Sequence, residues 1–142
     1  MVVGGIASAL HGSASITFDI DICQSRTMEN LARLEASLKE LGARLRGGAE
    51  DIVVPWDART LQARDNFTFA TKLGDLDCLG TPAGTNGFDD LSANAVEMDI
   101  EGVKFRVVSL NDLIRMKRAS GRPKDRIELE VLGALREELE NG

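Results

Sequence analysis

The sequence predicts an α+β fold, a mixed β-sheet of about five strands flanked by helices. Three features carry that expectation. "SITFDIDIC" alternates apolar and polar residues at the period of a strand. "TMENLARLEASLKELG" spaces its leucines at the period of a helix. Strand-like and helix-like stretches interleave along 142 residues, a length suited to one domain over 1–142.

Val2-Val3 reads as the end of a short strand, and Gly4-Gly5 as a tight turn. "IASALHG" is a short helix with Ile6, Ala9 and Leu10 on one stripe and Gly12 as its stop. In the strand that follows, Ile16, Phe18, Ile20 and Ile22 point one way, and Thr17, Asp19, Asp21 and Cys23 the other. The long helix starts at Thr27 and stops at Gly42, burying Leu31, Leu34, Leu38 and Leu41. "ARLRG" is a candidate short strand, and Gly47-Gly48 a turn. "DIVVPWDARTLQARD" resists assignment, because Pro55 limits any strand there to a short or peripheral one. "NFTFATKLG" and "DLDCLG" are two strands joined near Gly74, and "TPAGTNGFDDLSAN" is a loop. "AVEMDIEGVKFRVV" is a hairpin closed at Glu101-Gly102. Two helices finish the chain. The first is opened by Ser109 with Asp112 and ended by Gly121; the second has Pro123 in its first turn and Ile127, Val131, Leu132 and Leu135 as its stripe.

Bulk properties narrow the function. A net charge of -6 argues against a broad nucleic-acid surface, although positive charge is bunched in "RMKRASGRPKDR". No apolar run approaches a membrane span, and the start lacks the pattern of a signal peptide, so a cytoplasmic protein with no membrane partner is expected. One histidine and two cysteines without a CxxC spacing argue against zinc, and any metal ligands are then oxygens, pointing to Mg2+ or Mn2+. Cys23 and Cys78 are expected as reduced thiols on opposite faces of their strands.

The chemistry-bearing residues are carboxylates and glycines. Asp19 and Asp21 share one strand face about 7 Å apart at Cα. Two carboxylates that close repel, and a divalent cation removes the penalty. Asp77 completes a triad if its strand lies beside the first; Asp75, on the same face, is the alternative ligand. Three carboxylates can hold the paired ions used for in-line phosphoryl displacement. Gly4-Gly5, directly before a helix, allows close approach of a phosphate to backbone N–H groups, and Ser8 offers a hydroxyl one turn on. The pattern is not GxGxxG, so a Rossmann site fits poorly. His11 reads as a hydrogen-bonding residue at a helix end rather than a general base. Trp56 reads as packing rather than as a base-stacking platform.

Gly4-Gly5, thirteen intervening residues and then Asp19-Ile20-Asp21-Ile22, with Asp77 in "LDCL", resembles the signature of the nucleotidyltransferase (polymerase-β-like) superfamily. "VGGIASALHG", "GDLDCLGTPAG" and "LNDLIRMKRASGRPKD" are similar to the small bacterial members related to abortive-infection toxins. The resemblance implies a nucleoside triphosphate donor such as ATP, Mg2+ or Mn2+, and NMP transfer to a hydroxyl of RNA, protein or a small molecule. It also implies an antitoxin or a second copy of the chain as candidate partners. By the same resemblance, Gly4 and Gly5 hold the β- and γ-phosphates, Asp19 and Asp21 ligate both metals, and Asp77 ligates the catalytic one. Lys117 reaches the triphosphate. Arg122, Lys124 and Asp125 match an "RxKD" that braces the helices, with Lys124 a lesser phosphate ligand. Family members usually carry a helix and a longer first strand before the glycines, so either a truncated start or an edge supplied by a partner is expected. The competing reading is a non-catalytic member that binds a nucleotide or a partner.

Overall fold

The structure is a computed structural model and describes residues 1–14, 17–46 and 57–142. In chain order its elements are β1 (Val2–Val3), α1 (Gly4–Leu10), β2 (Ile20–Cys23), α2 (Met28–Glu40), β3 (Arg44–Leu45) and α3 (Ala58–Ala63). Then come β4 (Asn66–Thr71), β5 (Gly74–Leu79), α4 (Phe88–Ser92), β6 (Val96–Ile100), β7 (Val103–Val107), α5 (Leu110–Ser120) and α6 (Pro123–Asn141). Among the described residues the strands form one seven-stranded mixed sheet, ordered β3-β4-β5-β2-β1-β7-β6, in place of the expected five. Seven counts the short β1 and β3, each two residues long, which fall on the short strands expected at Val2-Val3 and in "ARLRG".

Several local rules act as the sequence suggests. The Thr27 side chain caps α2 by accepting from the Asn30 N–H, and Ser109 caps α5 by accepting from the Asp112 N–H. Gly121 ends α5 in the left-handed conformation. The β6–β7 turn places Glu101 and Gly102 at φ 52° and 85°, as a two-residue hairpin requires.

Other expectations are corrected. β2 starts only at Ile20, and Phe18 is 90% exposed. The strand is cut short because β1 turns into α1 at Gly4, leaving nothing on that side to pair ahead of Asp21. In α1 the buried residues are Ala7 and Ser8, while Ala9 is exposed. Helix α3 lies in the stretch that resisted assignment and α4 in the expected loop. Far from being an edge for a partner to complete, β1 is flanked on both sides, antiparallel to β2 and parallel to β7. Ile16, the Gly47-Gly48 turn, Pro55 and Trp56 lie outside the described residues.

Two apolar clusters hold the sheet. One joins Val3, Ala7, Cys23 and Val108 to Leu113 and Ile114 of α5 and Leu132 of α6. The other joins Phe67, Phe69 and Cys78 to Leu31 and Leu38 of α2 and Leu61 of α3. Cys23 and Cys78 therefore sit in different clusters, both buried and both free, as their opposite strand faces require. Burial pushes both thiols up, Cys23 to about 11 and Cys78 to about 12.

Candidate active site

The site begins with register. β2 and β5 are parallel, and Asp21 pairs with Asp77. On the outer sides, Val3 pairs with Asp21 and Thr68 with Asp77. Side chains that pair laterally share a face, so Val3, Asp21, Asp77 and Thr68 form one row across four strands. Val3 belongs to the helix-covered core, whereas Thr68 is exposed. The two carboxylates stand where the helical cover ends.

Their closeness has an electrostatic cost. Burial, then the charge of Asp77 and a hydrogen bond to it, and then the charge of Asp19 push the Asp21 carboxyl up to about 6; the Lys117 charge acts the other way. Asp77 is half-buried and accepts from Arg46 Nη2 at 2.5 Å, while Arg46 Nη1 donates to Asp75 Oδ2 at 2.9 Å. Asp75 and Asp77 thus share a face, as the strand alternation predicted, and one guanidinium bridges them. Asp77 lies directly beside Asp21; Asp75, the alternative, is one step further along β5.

Gly4 explains itself by contact. Its φ is 66°, and a Cβ there would lie 2.1 Å from Asp21 Oδ2. The Asp21 carboxylate packs onto the glycine. A Cβ at Gly5 would meet the Thr17 side chain at 3.0 Å. The paired glycines therefore make room for the chain entering β2. They also start a helix with no side-chain cap.

The remaining expected residues divide. Lys117 lines a cavity of about 190 Å³ together with Gly4, Asp21, Leu79, Thr81 and Arg122. Asp125 is 1% exposed and accepts from Lys117 Nζ at 3.4 Å, Arg122 Nε at 2.9 Å and the Ser120 hydroxyl. Burial alone would raise its pKa, but the bonds from Ser120 and Arg122 and the charges of Lys117 and Arg122 outweigh burial and hold it at about 2. Asp125 and Arg122 are braces, in agreement with the sequence reading. Ser8 is fully buried and its hydroxyl donates back to Gly4 O at 3.4 Å, so it supports the turn from behind. Lys124 is exposed at the start of α6 and does not line the cavity. His11 Nε2 lies 2.8 Å from the Val108 carbonyl and joins α1 to the strand end, a structural use. Asp19 is exposed, ahead of β2, with its carbonyl accepting from the Thr17 hydroxyl at 3.4 Å.

The structure thus brings Asp21, Asp77, Gly4 and Lys117 together, while Asp19 stands exposed ahead of β2, close enough for its charge to act on Asp21. Among the described residues no three His, Cys, Asp or Glu side chains are grouped to hold a metal ion. The donor set still fits a hard cation: two carboxylates stand side by side, one pushed up by burial and then by the other's charge, on a glycine cradle. Three cations of the basic run are paired, while Arg118, Lys124 and Arg126 are exposed. Arg115 pairs with Asp90 and Asp112 at 3.1 Å, and Lys117 and Arg122 pair with Asp125. Arg46 was missed by sequence reasoning. It belongs to no motif, and only the pairing of β3 with β4 brings it here.

The architecture, a mixed sheet flanked by helices, is a nucleotidyltransferase-like fold. Among solved structures the chain is similar to the lincosamide antibiotic adenylyltransferase LnuA, determined with lincomycin bound. That likeness has a TM-score of 0.59 at 14% identity, covering 94% of this chain and 85% of that one. No protein-family model and no curated protein matches the sequence. Among the described residues no helix is long and apolar enough to cross a membrane.

Proposed function

We propose that the protein is a metal-dependent nucleotidyltransferase that moves NMP from an NTP to a hydroxyl acceptor. The observation that carries this reading is the Asp21–Asp77 pairing on adjacent parallel strands, seated on Gly4 and flanked by Lys117. Asp21 and Asp77 would hold Mg2+ or Mn2+, with Asp19 as the third candidate ligand. The bound ion supplies charge neutralisation at the transferring phosphate. Lys117, anchored by Asp125, directs a fixed positive charge into the cavity where the triphosphate would lie. Gly4, which lines the cavity, would let the triphosphate come close to the backbone. A cavity of about 190 Å³ suits a phosphate chain rather than a whole nucleotide, since pockets for drug-sized ligands start near roughly 300 Å³. Base and ribose would then lie across the open part of the sheet. In this reading Asp77 would help to deprotonate the acceptor.

A small-molecule hydroxyl is the acceptor class favoured by the likeness to an antibiotic adenylyltransferase. An RNA or protein acceptor would fit the toxin-like resemblance of the sequence instead. A non-catalytic, nucleotide-binding role is favoured by one observation, the Arg46 ion pair on Asp77. The test is label transfer from each α-labelled NTP with Mg2+, in the presence of lincosamides and other hydroxylated small molecules, total RNA or total protein. Transfer that is lost in Asp21→Asn and Asp77→Asn supports the enzyme. Magnesium-dependent binding of NTP without transfer to any acceptor selects the binding role.

A further inference from the structure

Arg46 follows β3 directly, and its backbone N–H donates to Thr68 O at 2.9 Å. That bond holds Arg46 level with Thr68, which itself pairs with Asp77. The side chain therefore starts on the acidic face, in line with Asp77, and only 33% of it is exposed. Its fork spans Asp77 at 2.5 Å and Asp75 at 2.9 Å. A carboxylate oxygen held that closely by one cation is poorly available to another, and two cations on one carboxylate repel. Asp75 offers the guanidinium a second seat on the same strand face, so leaving Asp77 does not strand a charge.

We propose that Arg46 is a positioning residue that orients and neutralises Asp77 until a divalent cation claims that carboxylate, and so sets the affinity of the site for the cation. Asp75 is the seat to which Arg46 retires. The inference rests on the cation site proposed above. It gives work to both acids of "GDLDCLG", only one of which the transfer chemistry needs. It also predicts opposite signs for two neighbouring substitutions, which a merely structural salt bridge does not.

The test is Mn2+ binding to the full chain, read from the paramagnetic resonance signal of free Mn2+. Arg46→Gln is expected to bind Mn2+ about tenfold more tightly than wild type, the equivalent of one charge-assisted hydrogen bond removed from competition. A gain of affinity cannot arise from misfolding. Arg46→Lys, a point charge without the fork, is expected to fall between the two. Asp75→Asn is expected to weaken binding several-fold, because Arg46 then has Asp77 alone, and to have no effect when combined with Arg46→Gln. Asp77→Asn is expected to abolish binding. If wild type binds Mn2+ through Asp77 and Arg46→Gln binds equally or less tightly, the Arg46 inference is overturned while the cation site stands. If neither wild type nor Arg46→Gln binds, or Asp77→Asn binds as wild type does, both fall.

Discussion

Replacing Asp21 by Asn should stabilise the metal-free protein near neutral pH. The carboxyl is pushed from 3.8 up to about 6 by burial first, then by the charge and hydrogen bond of Asp77 and the charge of Asp19. At about 1.4 kcal/mol per tenfold change, that gap sets a ceiling of about 3 kcal/mol. Asp21 is only half-buried, so solvent screening brings the expected effect to about 1–2 kcal/mol. The sign follows from proton linkage. The folded chain holds the Asp21 proton more tightly than the unfolded chain does. Stabilisation from that proton is fully present below about pH 4 and is lost as pH rises through about 6. Asn keeps the hydrogen-bonding ability of the protonated acid and never ionises. Urea unfolding in EDTA at pH 4 and pH 7.5 should therefore show near-equal stabilities at the lower pH and a more stable Asp21→Asn at the higher. Equal stabilities at pH 7.5, or a gap that does not change between the two pH values, would refute the claim that the two carboxylates are forced together.

Three further outcomes follow from neighbouring contacts. Gly4→Ala should cost about 3 kcal/mol in urea unfolding, combining a left-handed alanine with an overpacked Asp21; in an Asp21→Ala background the cost should fall by half or more. Asp125→Asn should cost about 2–3 kcal/mol, since it leaves Lys117 and Arg122 without their shared partner; because its pKa is depressed, the stabilisation it supplies is lost as pH falls from 3.8 through about 2, readable as acid unfolding that Asp125→Asn flattens. Cys23 and Cys78 should resist a thiol reagent at pH 8 in the folded chain and both react in denaturant, because each is buried with a raised pKa.

The parity of strands was readable in the sequence, and their partners were not. Alternation correctly assigned Asp21 and Cys23 to one face of β2 and Asp75 and Asp77 to one face of β5. It overextended β2 to Phe18, because alternation reports which face a residue takes and not whether a neighbouring strand reaches it. Capped helices were legible at Thr27 and Ser109, where side chain and spacing act within one turn. The two short helices were not, since six and five residues cannot display a period. In hindsight α3 had a usable signal in Asp57, whose side chain accepts from the Thr60 N–H at 2.9 Å. Arg46 carried none, because its partners lie 29 and 31 residues away.

The same register explains why the site is tense. Asp21 and Asp77 are not flexible acids that happen to meet; the β2–β5 ladder sets them side by side, and Gly4 packs against Asp21. They cannot relax apart without breaking strand pairing. Burial first and then this repulsion push the Asp21 carboxyl up, and a guanidinium sits on Asp77. Arg46 contacts Asp77 and Asp75, and the proton bridging Asp21 and Asp77 is lost as pH rises through about 6. A divalent cation between the strands would serve both at once, displacing the proton and releasing Arg46 in the same event. Cation binding should therefore release protons near pH 6, and Asp21→Asn should abolish that release while leaving Arg46 on Asp77. Calorimetric titration of Mn2+ in two buffers of different ionisation heat measures the released fraction, and a fraction near zero at pH 5.5 would contradict the idea that one ion replaces both.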